Sequence, residues 1–226
     1  MINLAMTSIW NVCTPTLFRY LESNYVEAFF SDGSLRLSSF ASFKQHEDEQ
    51  RLDKTEGETS LSVRTQQPEP RLLFSRGSYG LNAYVLSTTM MHSEELKKAF
   101  NRDSYIRIND STEFAIRIAR HVPSLTTGFE GPCLYQTRKV INRSIDHMDT
   151  TQFHDQSDPS KPNRELLEKF TREQMAHYPF FLKHKFYSHQ VEYRLLWMTS
   201  APADGFIDIK VPEAIAFCSR PTELTE

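Results

Sequence analysis

Apolar and polar positions fall into short blocks along the chain, and each block predicts a short element. Leu17 to Leu21 places apolar residues on both sides of Arg19 and reads as a strand. Ser23 stands where it can cap a helix whose apolar face is Tyr25, Val26, Phe29 and Phe30, stopping at Asp32-Gly33. Leu35 and Leu37 alternate with polar residues between Ser34 and Phe40, the period of a half-buried strand. Strand-like runs recur at 59–64, 71–76 and 83–90, punctuated by Pro68, Pro70, Gly77 and Gly80. Ser93 opens a short helix over Glu94 to Phe100, Tyr105 to Ile108 is a strand, Thr112 to His121 is helical, and Cys133 to Ile141 is a further strand. Asn163 caps a helix carrying Leu166, Leu167 and Phe170 that continues to about His177, with Pro179 as its breaker. Strands at 192–199, 206–211 and 214–218 complete the series.

Two stretches break the pattern. Lys44 to Glu58 is a charged loop, and Arg143 to Asn163 is polar with few large apolar residues, as an insertion would be. Many short strands, few helices and no strict alternation of strand and helix predict an α+β fold with a mixed, mainly antiparallel sheet. One domain over 1–226, with the insertion at 143–163, accommodates all of it.

Composition narrows the chemistry. The 226 residues are 39% hydrophobic and 24% charged, enough for an ordinary core to which 16 Phe and 9 Tyr contribute. Only 7 Gly are present, and neither GxGxxG nor GxxxxGK[ST] occurs, which argues against a dinucleotide-binding Rossmann fold or a P-loop. A net charge of −3 argues against strong non-specific nucleic-acid binding while leaving room for a local basic patch. Cys13, Cys133 and Cys218 lack CxxC spacing and read as buried small side chains. No basic leader opens the sequence and no apolar run reaches the ~18 residues of a membrane span, so a cytoplasmic location is expected. GxSxG and HExxH are absent.

The most chemically suggestive segment is Gln190-Val191-Glu192 at the head of the run Tyr193 to Met198. On extended backbone, residues two apart project to one side. Glu192, beside Phe180, Phe181, Phe186 and Tyr187, can stabilise positive charge on a sugar carbon. Its alternative is an ion pair with Arg194 or Lys185. Gln190 offers donors and an acceptor to an incoming nucleophile, or is a surface polar residue. Arg19, in an otherwise apolar strand, needs an anion: a pyrophosphate or a structural carboxylate. Ser87, Thr88 and Thr89 end an apolar strand, where hydroxyls can orient Glu192 and a ribose or can simply belong to the sheet. Tyr20 and Tyr187 can stack on a flat heteroaromatic ring or can be core. His184 and His189 flank the triplet and could assist proton transfer.

An aromatic-Arg pair on an early strand, Ser-Thr-Thr on a middle strand and Gln-x-Glu opening a late strand together resemble the Arg-Ser-Glu class of the ADP-ribosyltransferase superfamily. The resemblance implies that sheet fold, a split mainly antiparallel core, with NAD as substrate and no metal. It implies that Arg19 holds the NAD phosphates and that Ser87, next to Thr88, lies under the nicotinamide ribose and orients the catalytic acid. Glu192 would bind the ribose 2″-hydroxyl and stabilise the oxocarbenium ion, Gln190 would face the acceptor, and Tyr20 and Tyr187 would contact NAD. The sequence is also similar to an uncharacterised bacterial domain family that closes with Phe-x-x-(Glu/Gln)-x-Glu-(Tyr/Trp)-Arg; here the closing run is Phe186 to Arg194, one residue longer.

The expected function is therefore mono-ADP-ribosylation of a macromolecular acceptor, nucleic acid or protein, by a cytoplasmic toxin or phage-defence effector with a neutralising antitoxin protein as a further partner. For a nucleic-acid acceptor the sequence offers Arg117, Arg120, Arg138, Lys139 and Arg143. The rivals are a catalytically silent binding domain of the same fold and a metal-dependent nuclease using Asp48, Glu49, Asp53 and Glu56.

Overall fold

Residues Glu192–Thr199 are buried at every position except the half-buried Met198. Only a strand with neighbours along both edges and packed layers on both faces can be buried in this way. The computed structural model, which describes residues 14–43, 57–67, 71–148, 150–155, 157–158 and 160–221, arranges the chain around that strand. The order begins β1 (Leu17–Leu21), α1 (Ser23–Asp32), β2 (Ser34–Ser39), α2 (Phe40–Phe43), β3 (Glu58–Gln67), β4 (Arg71–Ser78) and β5 (Ala83–Thr89). It continues with α3 (Glu94–Ala99), β6 (Ser104–Ile108), α4 (Ser111–Ala119), β7 (Leu125–Pro132), β8 (Leu134–Gln136) and β9 (Val140–His147). The final part holds α5 (Arg164–Met175), α6 (Tyr178–Phe181), β10 (Leu182–His184), β11 (Glu192–Thr199), β12 (Phe206–Lys210) and β13 (Cys218–Ser219). Short 3-10 segments lie at Thr150–Phe153, Lys185–Gln190 and Pro212–Phe217. The class is α+β, with a mainly antiparallel sheet and few helices.

β11 pairs antiparallel with β5 on one edge and with β7 on the other. Beyond β5 the sheet divides. β2 pairs with β5 at Tyr84 and Val85, whereas β1 pairs with it at Thr89, so Leu86 to Thr88 have no ladder partner on that edge. β12 extends the first branch, and β6 and β13 extend the second. A separate three-stranded sheet has the order β4-β3-β9, and β8 and β10 form a parallel pair.

Alternation along β11 divides the interior. Tyr193, Leu195 and Trp197 join Leu17, Leu37, Leu86 and the apolar faces of α1 and α4. Leu196 points the other way, towards Ala83, Val85, Phe40 and Phe180, and Glu192 and Arg194 share that second face by the two-residue period. The small sheet has its own core, in which Leu61, Val63 and Ile141 meet Phe153, Met175 and Leu182.

Several expectations need correction. Ser23 does not cap α1: Glu22 occupies the cap position, and the Ser23 amide and hydroxyl donate to Asp103 at 2.8 and 2.9 Å. A carboxylate from a distant loop thereby meets the positive end of the helix. The block 133–141 is two strands separated by a bend. Residues 143–147, expected in the polar insertion, continue β9 and pair parallel with β3, exposing their polar side chains on the outer face. β7 was hidden in Thr-Thr-Gly-Phe-Glu-Gly-Pro, whose glycines and proline read as turn residues. The last expected strand is mostly a 3-10 turn begun by Pro212. Most of the charged loop, 44–56, lies outside the described residues.

Gly33 closes α1 with φ +77°, its amide bonded to the Phe29 carbonyl at 2.8 Å and its carbonyl accepting from the Val211 amide at 2.9 Å. A Cβ at this position would lie 2.3 Å from the Val211 carbonyl carbon. Gly33→Ala is therefore expected to cost about 2 kcal/mol or more, combining a left-handed penalty with a clash against backbone. Urea unfolding should show a lower midpoint with an unchanged slope.

Candidate functional site

Glu192 opens β11 directly after Val191, which takes the left-handed conformation with φ 44° and ψ 47°. That conformation is uncommon for a β-branched residue and is held by its surroundings. Gln190 is the last residue of the preceding 3-10 turn. The triplet is thus not extended, and the same-side geometry expected of its two arms does not arise from strand alternation. Lys183 on β10 supplies it instead. Its ammonium donates to Gln190 Oε1 at 2.7 Å and also to Glu192 Oε2.

The other carboxylate oxygen, Oε1, accepts from Arg194 Nε at 2.7 Å and from Ser87 Oγ at 2.8 Å. The Glu192 amide donates to the Tyr135 hydroxyl oxygen at 2.7 Å. Gln190, Glu192 and Arg194 are 3%, 4% and 2% exposed and Lys183 is 7% exposed, so this is a desolvated cluster of two cations, one anion and one amide. Arg194 is held further by the Phe180 carbonyl at 2.7 Å, and its guanidinium stands 5.6 Å from the Phe40 ring centre. Burial alone would disfavour the charged form of Glu192. Arg194 and Lys183 overcome it and hold the carboxyl well below the usual carboxylate range.

Arg19 enters at the divided edge. Its Nη1 donates to the Ser87 carbonyl at 2.5 Å, in the stretch of β5 that neither β1 nor β2 pairs. Ser87 therefore links Arg19, through its backbone, to Glu192, through its hydroxyl. Thr88 faces the opposite way, is buried, and donates to the Tyr193 carbonyl at 2.8 Å as a tie between strands. Tyr187 is half-buried with its ring centre 4.9 Å from Lys183 Nζ and forms one wall of the cluster.

Tyr20 is not brought to this cluster. It is 5% exposed, packs with Leu96 and Tyr105, and its hydroxyl accepts from the Ser93 amide at 2.7 Å, fixing the start of α3. Burial raises its pKa. His184 and His189 are exposed; His184 Nδ1 accepts from the Phe186 amide at 3.2 Å, while His189 Nδ1 lies 3.1 Å from the Phe186 carbonyl. Of the five basic residues proposed for nucleic acid, Arg117 pairs with Glu113 and Arg143 bonds the Gln174 carbonyl, each within its own locality. Lys185 is exposed, and Arg194 with Lys183 forms the ion pairs at Glu192.

Lys183 and Tyr135 escaped the sequence reading. The one local signal for Lys183 is its setting at the end of the apolar run Pro179 to Leu182, an unusual place for a lysine unless it has a buried anion. Nothing around Tyr135 separates it from other strand tyrosines.

A cleft of about 300 Å³ lies where β3 and β9 begin, with Arg76, Arg138, Lys139 and His184 among its walls. It begins one residue along β10 from Lys183 and does not include Glu192. Among the described residues no set of three His, Cys, Asp or Glu could hold a metal, and Asp48, Glu49, Asp53 and Glu56 lie outside those residues. No described helix is long and apolar enough to cross a membrane. Cys133 is buried and the Cys218 thiol is pushed up to about 12 by burial, while Cys13 lies outside the described residues.

The folded pKa of Glu192 lies below its ordinary 4.5, so its stabilisation is fully present above about that pH and is lost as pH falls towards the depressed value. Glu192→Gln leaves Lys183 and Arg194 without an anion and is expected to cost roughly 3–5 kcal/mol. Urea midpoints followed against pH should fall less steeply for Glu192→Gln than for the wild type below pH 4.5. Parallel curves would mean that this carboxylate does not carry the acid sensitivity. No protein-family model matches the chain, and no curated protein or solved structure matches it.

Proposed function

We propose that the chain is an NAD-dependent mono-ADP-ribosyltransferase with an ADP-ribosyltransferase-like split sheet, acting on a macromolecular acceptor. The observation that carries this reading is the linkage of Arg19, Ser87 and Glu192. Residues 68 and 105 positions apart are joined through the carbonyl and hydroxyl of a single serine. A phosphate-type cation, an orienting hydroxyl and an ionised carboxylate are the groups that cleavage of a charged N-glycosidic bond requires.

The local charge suits NAD. Arg19, Lys183 and Arg194 outnumber Glu192, a local excess of positive charge that would attract a pyrophosphate. When bound, NAD supplies an electrophilic ribose carbon and a leaving group that departs with the bonding electron pair. Ser87 and Arg194 keep Glu192 ionised and aimed. Lys183 exchanges the Glu192 carboxylate for a phosphate, freeing one oxygen to face the ribose. Gln190, released from the same ammonium, meets the acceptor, which attacks the sugar carbon as the bond to nicotinamide breaks and gives its proton to water. Tyr187, whose ring lies against Lys183, contacts NAD. A cytoplasmic toxin or phage-defence effector, restrained by an antitoxin protein, is the setting we assign by analogy.

One observation favours a second reading, a catalytically silent binding domain. Glu192 is 4% exposed and doubly neutralised, as in a purely structural ion cluster. The two readings differ in what NAD does. Under the first, NAD raises the melting temperature and labelled ADP-ribose enters lysate macromolecules, with nuclease and protease treatment identifying the acceptor. Glu192→Gln, assayed where circular dichroism shows it folded, should lose about 10²–10⁴ in turnover. Ser87→Ala keeps the ion cluster and should lose up to about 10² through misalignment. Equal transfer by wild type and Glu192→Gln would remove Glu192 from the mechanism, and no transfer and no melting shift would support the silent domain.

A further inference from the structure

We infer that the outer face of the β4-β3-β9 sheet, with the cleft at its end, is a binding platform for single-stranded nucleic acid. Alternation along β3 sends Thr59, Leu61, Val63 and Thr65 inward, where they are at most 2% exposed, and sends Ser60, Ser62 and Arg64 outward. The register places Phe74 opposite Ser62, Leu72 opposite Arg64 and Arg76 opposite Ser60, so all six share the outer face. Phe74 is 62% exposed and Leu72 67% exposed, on a strand that lies at the edge of its sheet. Two large apolar side chains two residues apart on an open edge strand are a liability unless something covers them.

The charge around them points to the occupant. Arg64 and Arg76 flank Phe74 on the sheet, and Arg138 and Lys139 wall the cleft at its end. Among the described residues, acids on this face are Glu58, paired with Arg76 at 2.5 Å, and the exposed Asp146 on β9. This is a cationic face on a chain whose net charge is −3. Across the sheet from Phe74 the side chains are short, Ser62 directly opposite on β3 and Asn142 beyond it on β9, leaving space on that side for a base against the ring. An exposed aromatic on a sheet with cations spaced around it matches the chemistry of an unpaired base and its phosphates. A duplex hides its base faces and would meet only the charges.

The platform also has a direction. Its cleft reaches His184 on β10, the strand whose buried side carries Lys183 to Glu192, so a nucleic-acid strand lying on the sheet would end at that element. Assigning that strand as the acceptor rests on the transferase reading; the binding itself does not.

The test is fluorescence anisotropy with a short labelled oligonucleotide of mixed sequence, as single-stranded DNA, single-stranded RNA and duplex, without NAD, over about 50–200 mM salt. Single strands should bind more tightly than duplex. Phe74→Ala, at an exposed position that leaves the core intact, should weaken single-strand binding about tenfold. Arg64→Gln combined with Arg76→Gln should reduce the slope of log affinity against log salt by roughly 0.7 for each cation removed. A difference between the DNA and RNA arms identifies the natural strand. Absence of binding at the lowest salt, or binding indifferent to all three substitutions, overturns the proposal. So does light scattering that finds a dimer in wild type and a monomer in Phe74→Ala, which would give the face to a second copy of the chain. Loss of transfer activity with binding intact would count against the transferase reading alone.

Discussion

A carboxylate taken out of water is among the most costly groups a fold can contain, and the placing of several elements in this protein answers that cost. Glu192 reaches ionised form in the interior only because β10 brings Lys183, β11 brings Arg194 and β5 brings the Ser87 hydroxyl to its two oxygens. Each partner has its own support: Arg194 on the Phe180 carbonyl, Lys183 on Gln190, Ser87 on Arg19. The cluster therefore ties the main sheet to the β8–β10 pair and to α6. Tyr135 adds a tie to the same region through the Glu192 amide.

That dependence explains an otherwise awkward backbone. Val191 holds a left-handed conformation that a branched side chain resists. The conformation turns the chain from the 3-10 turn into β11 while keeping Gln190 and Glu192 within reach of one ammonium. The strain is confined to one residue, and the surrounding hydrogen bonds fix it there.

Elements with strong periodicity were legible in the sequence. β1, β2, β5, β11 and the capped helices α3 and α5 emerge within a residue or two of their expected limits, because alternation and caps act locally. What escaped depends on distant partners. β7 survives its glycines and proline because it lies along the edge of the nearly wholly buried β11. Ser23 yields its capping role to Asp103, eighty positions away. Glu192, Ser87 and Arg19 could be singled out by residue type and order, yet the lysine that joins both arms of the triplet could not, since its burial exists only once β10 has docked. Tyr20 shows the converse: an aromatic next to Arg19 in sequence whose hydroxyl is committed to the α3 start.

The division of the sheet at β5 has a consequence for when the site exists. Its contributors come from near the beginning, the middle and the end of the described chain, and no local pair of elements contains more than a part of it. Closing loops of that length is slow and yields nothing until the distant strands meet. Lys183 and Arg194 are close to Glu192 in sequence, whereas the Ser87 hydroxyl and, through it, Arg19 reach the cluster only when β11 pairs with β5, so a chain that has formed only its helices and hairpins holds an incomplete cluster. The full cluster is a property of the completed sheet, since Ser87 and Arg19 join it only where β5 lies beside both β11 and β1.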